Sequence, residues 1–138
     1  MTSKKPYAGE TDLKRLLENM NPVMDSAEYV FCTQYSINEN FSPLGLFKEA
    51  EGWTMILDRS QADRAGIPYD VVFNKITLNI HSSLEAIGFT SAIAAELTKH
   101  GIPANIVAAF YHDHLFIPIA HAADCMQILL NLKENSGK

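Results

Sequence analysis

Between residues 71 and 134 the apolar pattern switches period repeatedly, and few folds accommodate the order that results. VVFNKITLNI (71–80) reads as a strand, with Ile76, Leu78 and Ile80 on one face. The loop HSSLEAIG (81–88) follows. Phe89, Ile93, Leu97 and His100 then recur at helical spacing, and Gly101 closes that helix. His100 at its C-terminal end suits the helix dipole. NIVAAFYHD and HLFIPI are two strand-like runs that form a hairpin, and Ala122, Cys125, Met126, Leu129 and Leu132 mark a final amphipathic helix. The order is strand, helix, strand, strand, helix.

The first half carries part of the same order. Residues 1–10 read as a loose arm. Thr11-Asp12 opens a helix with Leu13, Leu16, Leu17 and Met20 on one side, and Asn21-Pro22 stops it. EYVFCTQ (28–34) is a strand and NENFSP (38–43) a loop. LGLFKEA and WTMILD form a hairpin through Glu51-Gly52. Ser60 to Asp63 has the spacing of a capping box, and Gly66 ends a short helix over 60–66. WTMILDRSQADRA aligns without gaps on HLFIPIAHAADCM, pairing Ile56 with Ile117, Ala62 with Ala123 and Asp63 with Asp124, so a strand-then-helix layout repeats. Helices that follow hairpins and pack on one face of an antiparallel sheet define an α+β sandwich of ferredoxin-like βαββαβ type. The divisions expected are an arm (1–10), a degenerate first unit (11–70), a second unit (71–134) and a flexible tail (135–138).

Strand 105–112 adds a constraint. Ile106, Ala108 and Phe110 point one way and Val107, Ala109 and Tyr111 the other, so both faces are mainly apolar. Helices cover one face; the other needs a second sheet, another helix or another subunit. A homodimer, or tight sheet-on-sheet packing between the two halves, is therefore expected.

The net charge of -5 argues against a nucleic-acid partner, because neutralising phosphates needs a clustered positive face, and the cations are scattered apart from short pairs such as Lys4-Lys5. Every apolar run falls short of the about 18 residues that cross a membrane, and the N-terminus lacks the apolar stretch of a signal peptide. A cytoplasmic protein with no membrane partner is the expectation. Cys32 and Cys125 lie in apolar stretches without Cys-x-x-Cys spacing and read as free, buried thiols. No phosphate loop, dinucleotide fingerprint or Gly-x-Ser-x-Gly is present, so no cofactor and no catalytic residue is assigned.

Three pieces carry a family resemblance: the small loop ending in Gly88, the L-x-x-x-G-I turn from Leu97 to Ile102, and the hairpin at His112-Asp113-His114. Residues 75–134 resemble an ACT domain, a small βαββαβ module that is usually regulatory, pairs side by side and binds amino acids. The first half resembles a degenerate partner unit, since 35–43 is too short for the usual first helix. The second unit departs too, because no strand follows its last helix, so strand 71–80 serves as the last of one unit and the first of the next. The whole chain resembles small bacterial proteins with paired ACT-like units.

The resemblance implies that the loop 81–88 holds the ligand. His81, Ser82, Ser83, Glu85, Ala86, Ile87 and Gly88 are the candidates, with Ser82 and Ser83 hydroxyls and backbone N–H groups offered to a carboxylate at a helix N-terminus. Glu85 faces the ligand's ammonium on this reading. Ser82 and Glu85 also have capping-box spacing, a role compatible with ligand contact. Asn105, on the strand beside the loop, reads both ends of an amino acid or ties a loop. Asp113, at the hairpin tip, touches the bound amine. A rival reading uses His112 and His114, two apart on one strand face, with His81 as a third ligand, as the metal site of a small enzyme. A third is an assembly module with no ligand.

Overall fold

The computed structural model describes residues 9–137. The elements are α1 (Leu13–Asn19), β1 (Pro22–Gln34), β2 (Gly45–Glu49), β3 (Gly52–Asp58), α2 (Arg59–Ala65), β4 (Phe73–Leu78), α3 (Phe89–Lys99), β5 (Asn105–Ala108), β6 (Asp113–Pro118) and α4 (Ile119–Ser136). The loose arm expected over 1–10 lies outside the described residues except for Gly9 and Glu10.

All six strands join one antiparallel sheet in the order β2-β3-β1-β4-β6-β5. That order contains two overlapping ferredoxin-like sets. β4 lies beside β1 as the fourth strand of the set begun by β1, β2 and β3. It is also the first strand of the set it begins with β5 and β6, and there β1 fills the fourth place. The fold class expected from the sequence is borne out, and the missing last strand of the second set is supplied by β1.

Period-two alternation decides what each strand buries. Ile76 and Leu78 of β4, with Leu115 and Ile117 of β6, face the helices; the stripe Phe89, Ile93 and Leu97 of α3 and Cys125 and Leu129 of α4 close over them. α1 joins this core through Leu16 and Met20, although it precedes the first strand. Asp12 caps α1 by accepting from the Arg15 N–H at 3.0 Å. A second cluster under α2 holds Val30, Cys32, Met55, Leu57 and Ala62. Since Asn74 pairs with Glu28, two residues before Val30, both clusters lie on the same side of the sheet. Cys32 and Cys125 are free and buried as expected, and burial pushes the Cys125 thiol up to about 12.

Among the described residues no helix covers the other side. There Tyr29, Phe31, Phe73 and Phe116 pack edge to face across β1, β4 and β6, and Ile56 of β3 joins their cluster. The sheet curls around this aromatic strip. Leu44 and Gly45 at one edge and Val107 and Ala109 at the other line a common cavity. A bulge in β1 between Met24 and Glu28 adds twist in the middle of the sheet. Asp25 in the bulge accepts from the Ala27 N–H at 2.9 Å and the Tyr29 hydroxyl at 2.5 Å.

Several local readings need correction. The strand expected at 28–34 begins at Pro22, because the bulge interrupts alternation without ending the pairing. The capping box at Ser60–Asp63 does not form; Asp58 caps α2 instead, accepting from the Ser60 N–H at 2.8 Å. Gly66 does end that helix, in the left-handed region at φ 67. Asn135 and Ser136, read as tail, form the last turn of α4, with the Ser136 hydroxyl donating to the Leu132 carbonyl at 2.7 Å.

Candidate functional site

The loop after β4 is held from two sides. Its chain folds back on itself, with Ser82 N–H donating to Ile80 O at 3.0 Å and Ala86 N–H to Ser83 O at 3.0 Å. From outside, Glu10 N–H donates to His81 O at 2.7 Å, and Ser83 N–H donates to Glu10 O at 2.9 Å. Gly9 packs so closely that a Cβ there would sit 2.5 Å from His81 O and 2.6 Å from the Ser82 carbonyl carbon. A side chain is excluded at that position by backbone, which does not yield. Gly9→Val is therefore expected to free the strap. Ser83 amide hydrogen exchange should accelerate roughly tenfold or more, as one or two bonds of about 1 kcal/mol each are lost. Unchanged protection at Ser83 would show that the strap does not hold the loop.

Beneath the loop lies a hollow of about 70 Å³, lined by Ser82, Ser83, Leu84, Ala86, Phe89, Thr90, Ala108 and Asp113. Asp113 and Ser82 are each 6% exposed, and the Ser82 hydroxyl donates to the Asp113 carboxylate at 3.4 Å. Burial pushes the Asp113 carboxyl above the usual range, against the opposing pull of Ser82 and of nearby His112. The opposite wall is the first turn of α3. Gly88 caps it at φ 91 with no side-chain hydrogen bond to its N–H groups. An acid and the first residues of a helix that has no side-chain cap thus line one small space. That pair of opposite polarities matches an ammonium and a carboxylate carried on one carbon.

The expected site residues divide on this geometry. Ser82, Ser83, Ala86 and Asp113 come together around the hollow, and Gly88 starts the helix that walls it. Leu84, Phe89, Thr90 and Ala108 also line it and were not anticipated, because their roles depend on where α3 begins and on which end of β5 meets the loop. The capping box of Ser82 and Glu85 does not form: Ser82 bonds Asp113, the Glu85 N–H donates to the Ser83 hydroxyl at 3.1 Å, and α3 starts later. Glu85 and Ile87 are exposed, Ile87 at 87%. Asn105 stands at the far end of β5, its amide donating to Phe116 O at 3.4 Å. Asp113 is not the hairpin tip. The turn closes earlier, through Ala109 N–H to His112 O at 3.1 Å, and Asp113 opens β6.

The histidines disperse. The His114 Nδ1 pairs with the Thr77 hydroxyl at 2.9 Å on the open side of the sheet, His112 Nδ1 lies 3.3 Å from Ile80 O, and the His81 ring packs on Tyr111 at 5.0 Å. Among the described residues no three His, Cys, Asp or Glu side chains gather as a metal set. His100 caps α3 as expected, its Nδ1 3.0 Å from Glu96 O. A larger, open hollow of about 420 Å³ beside α2 is lined by Gln34, Asn38, Asn40 and Arg64, among others. It occupies the place where the second half carries α3 beside α4, so it follows from the missing helix at 35–44.

Sequence models of the ACT domain match residues 8–74 and 72–131. Among solved structures, a protein of unknown function from Vibrio cholerae, described as a possible transport protein, is 38% identical with a TM-score of 0.79, over 88% of this chain and 95% of that one. A protein from Agrobacterium tumefaciens is 12% identical with a TM-score of 0.70, over 83% and 89% of the two chains. The ligand-free regulatory subunit of aspartate kinase from Thermus thermophilus is 7% identical with a TM-score of 0.60, over 84% and 97%. The last two show likeness of fold. No curated protein sequence is significantly similar to the chain. Among the described residues no helix is long and apolar enough to cross a membrane.

Proposed function

We propose, for a chain that belongs to the ACT-domain family, that it is a non-catalytic regulatory module that binds a small amino acid between the 82–90 segment and Asp113. ACT domains are in general regulatory modules for small ligands. The observation that carries the finer reading is the hollow shared by Asp113 and the start of α3, which has no side-chain cap. The ligand's ammonium pairs with the Asp113 carboxylate. Its carboxylate takes the N–H groups of the first turn of α3. About 70 Å³ is space for roughly two water molecules, so the hollow takes the ammonium and α-carbon, and compact side chains are preferred. Binding works by population shift, since a ligand touching both the loop and β6 favours the arrangement in which they converge.

A thermal-shift screen of the full chain against the standard amino acids tests this. A ligand at about 100 times its dissociation constant adds roughly 2.7 kcal/mol of stability. A selective rise with one or two compact amino acids is expected; a flat response to all of them contradicts the reading.

Two copies pair, on this account, through the outer edge of β2 in the cytoplasm. Phe47 on that edge is 72% exposed, and Leu46 and Leu44 are 42% and 49% exposed. A strand edge carrying apolar side chains favours association. Light scattering should give the mass of two chains for the wild type and of one for Phe47→Glu. A wild-type mass of one chain contradicts the pairing.

A further inference from the structure

We propose that the cavity enclosed by the curl of the sheet is a second binding site, for a short aliphatic carboxylate, with Lys75 as its charge partner. The cavity measures about 130 Å³ and lies on the side of the sheet without helices. Its walls come from both outer edges: Leu44 and Gly45 beside β2, and Val107 and Ala109 at β5. Ile56 and Phe116 form apolar floor, and Lys75 and His114 complete it. An engineered apolar cavity of about 150 Å³ accepts benzene, so this one takes roughly five or six carbon atoms.

The wall is mostly apolar, and the polar groups carried by two of its lining residues, the Lys75 ammonium and the His114 ring, select the head group. The Lys75 side chain is largely buried, at 15% exposed. Its nearest acid is Asp25 at 3.6 Å, well beyond the about 2.8 Å of a charge-assisted hydrogen bond. Asp25 spends its better hydrogen bonds on Tyr29 and Ala27. The rest of the Lys75 coordination is the Tyr29 ring, 5.5 Å from Nζ. An ammonium has three donors, and these contacts leave capacity for an anion. His114 is bonded through Nδ1 to Thr77, and among the described residues its other ring nitrogen has no partner. Burial, then the charges of Lys75 and His112, hold its pKa below the ordinary value, which favours the neutral ring. A carboxylate is the head group that answers one underused cation beside a neutral imidazole, and the tail lies against Ile56, Phe116 and Val107.

Such a ligand touches both edges of the sheet. It latches the curl and so couples the two halves of the fold. The site shares no lining residue with the loop hollow and does not depend on the amino-acid reading.

The test is amide-resolved NMR titration of the full chain with 4-methylpentanoate and, separately, the uncharged 4-methylpentanamide. Saturable shifts at Gly45, Val107, Ala109 and His114 are expected with the acid. The acid should bind about tenfold or more tightly than the amide, as a hydrogen bond to a charged group is lost. Lys75→Met should lose about the same factor, and Ala109→Phe, which fills the cavity, should abolish binding; dispersed spectra show that each variant is folded. Absence of saturable shifts at those amides overturns the proposal. So do equal affinities for acid and amide, full affinity in Lys75→Met, or shifts confined to residues 82–90 and Asp113, which place the acid in the loop hollow instead.

Discussion

Asp113→Asn should leave the protein more stable at neutral pH and unable to hold its ligand. The carboxyl is 6% exposed and its pKa is raised, chiefly by burial. A group whose folded pKa lies above its unfolded value binds protons more readily in the native state. Stability is then greatest below the unfolded value, near 3.8, and falls as pH rises through the folded value. At neutral pH the charge of Asp113 is therefore a standing cost. Asparagine removes it, keeps the shape and still accepts from Ser82. The melting temperature should rise at pH 7, and the advantage should shrink as pH falls toward 4. Ligand affinity should move the other way. Losing one member of a buried ion pair costs about 2–5 kcal/mol, so binding should weaken on the order of 100-fold or more. A variant that is less stable at pH 7, or that binds normally, would show that Asp113 is a structural acid and not a ligand partner.

Leu115→Ala should be among the most damaging changes in the core. Leu115 is fully buried on the helix-covered side of β6, paired with Ile76 of β4 and Ile106 of β5. Its neighbours in the cluster include Leu129 and Leu97, which are also fully buried. Large-to-small replacement at such a site costs about 3–4 kcal/mol, the transfer term plus the cavity left behind. For a chain of this length that is a drop of roughly 10 °C or more in melting temperature. Val107→Ala, on the edge strand and 38% exposed, should cost about 1 kcal/mol or less. Chemical denaturation of both variants measures the contrast. Equal losses would mean that the side of the sheet without helices carries as much of the core as the side that has them.

What was legible in the sequence follows the range of the forces involved. The α3 stripe of Phe89, Ile93 and Leu97 was readable because a helix repeats its buried face locally, and all three are buried. The glycine stops at Gly66 and Gly101 were readable for the same reason, since the left-handed backbone they supply is a local demand. The start of β1 was not. Asp25, Ser26 and Ala27 break the alternation, and the bulge they form is stabilised by Tyr29 farther along the strand. The α2 cap was misassigned because Asp58 and Ser60 both offer a capping oxygen, and backbone geometry chooses between them.

The loop stood out in the sequence through its resemblance to ACT domains, and a small hollow lies beside it. Its chemistry was not. Ser82 and Asp113 are 31 residues apart in sequence, and their meeting depends on the pairing of β4 with β6. The strap from Glu10 and the cavity beside Lys75 and His114 depend in the same way on long-range register. His112 and His114 looked like a pair because spacing alone cannot show that one lies in the turn and the other in the sheet.

On the proposed function, the start of α3 and Asp113 together hold a compact amino acid. Amide-resolved NMR titration of the full chain with the amino acid that most raises its melting temperature tests it most directly. Saturable shifts centred on residues 82–90 and Asp113, absent in Asp113→Asn, are expected. Saturable shifts centred elsewhere, or retained in that variant, would contradict it.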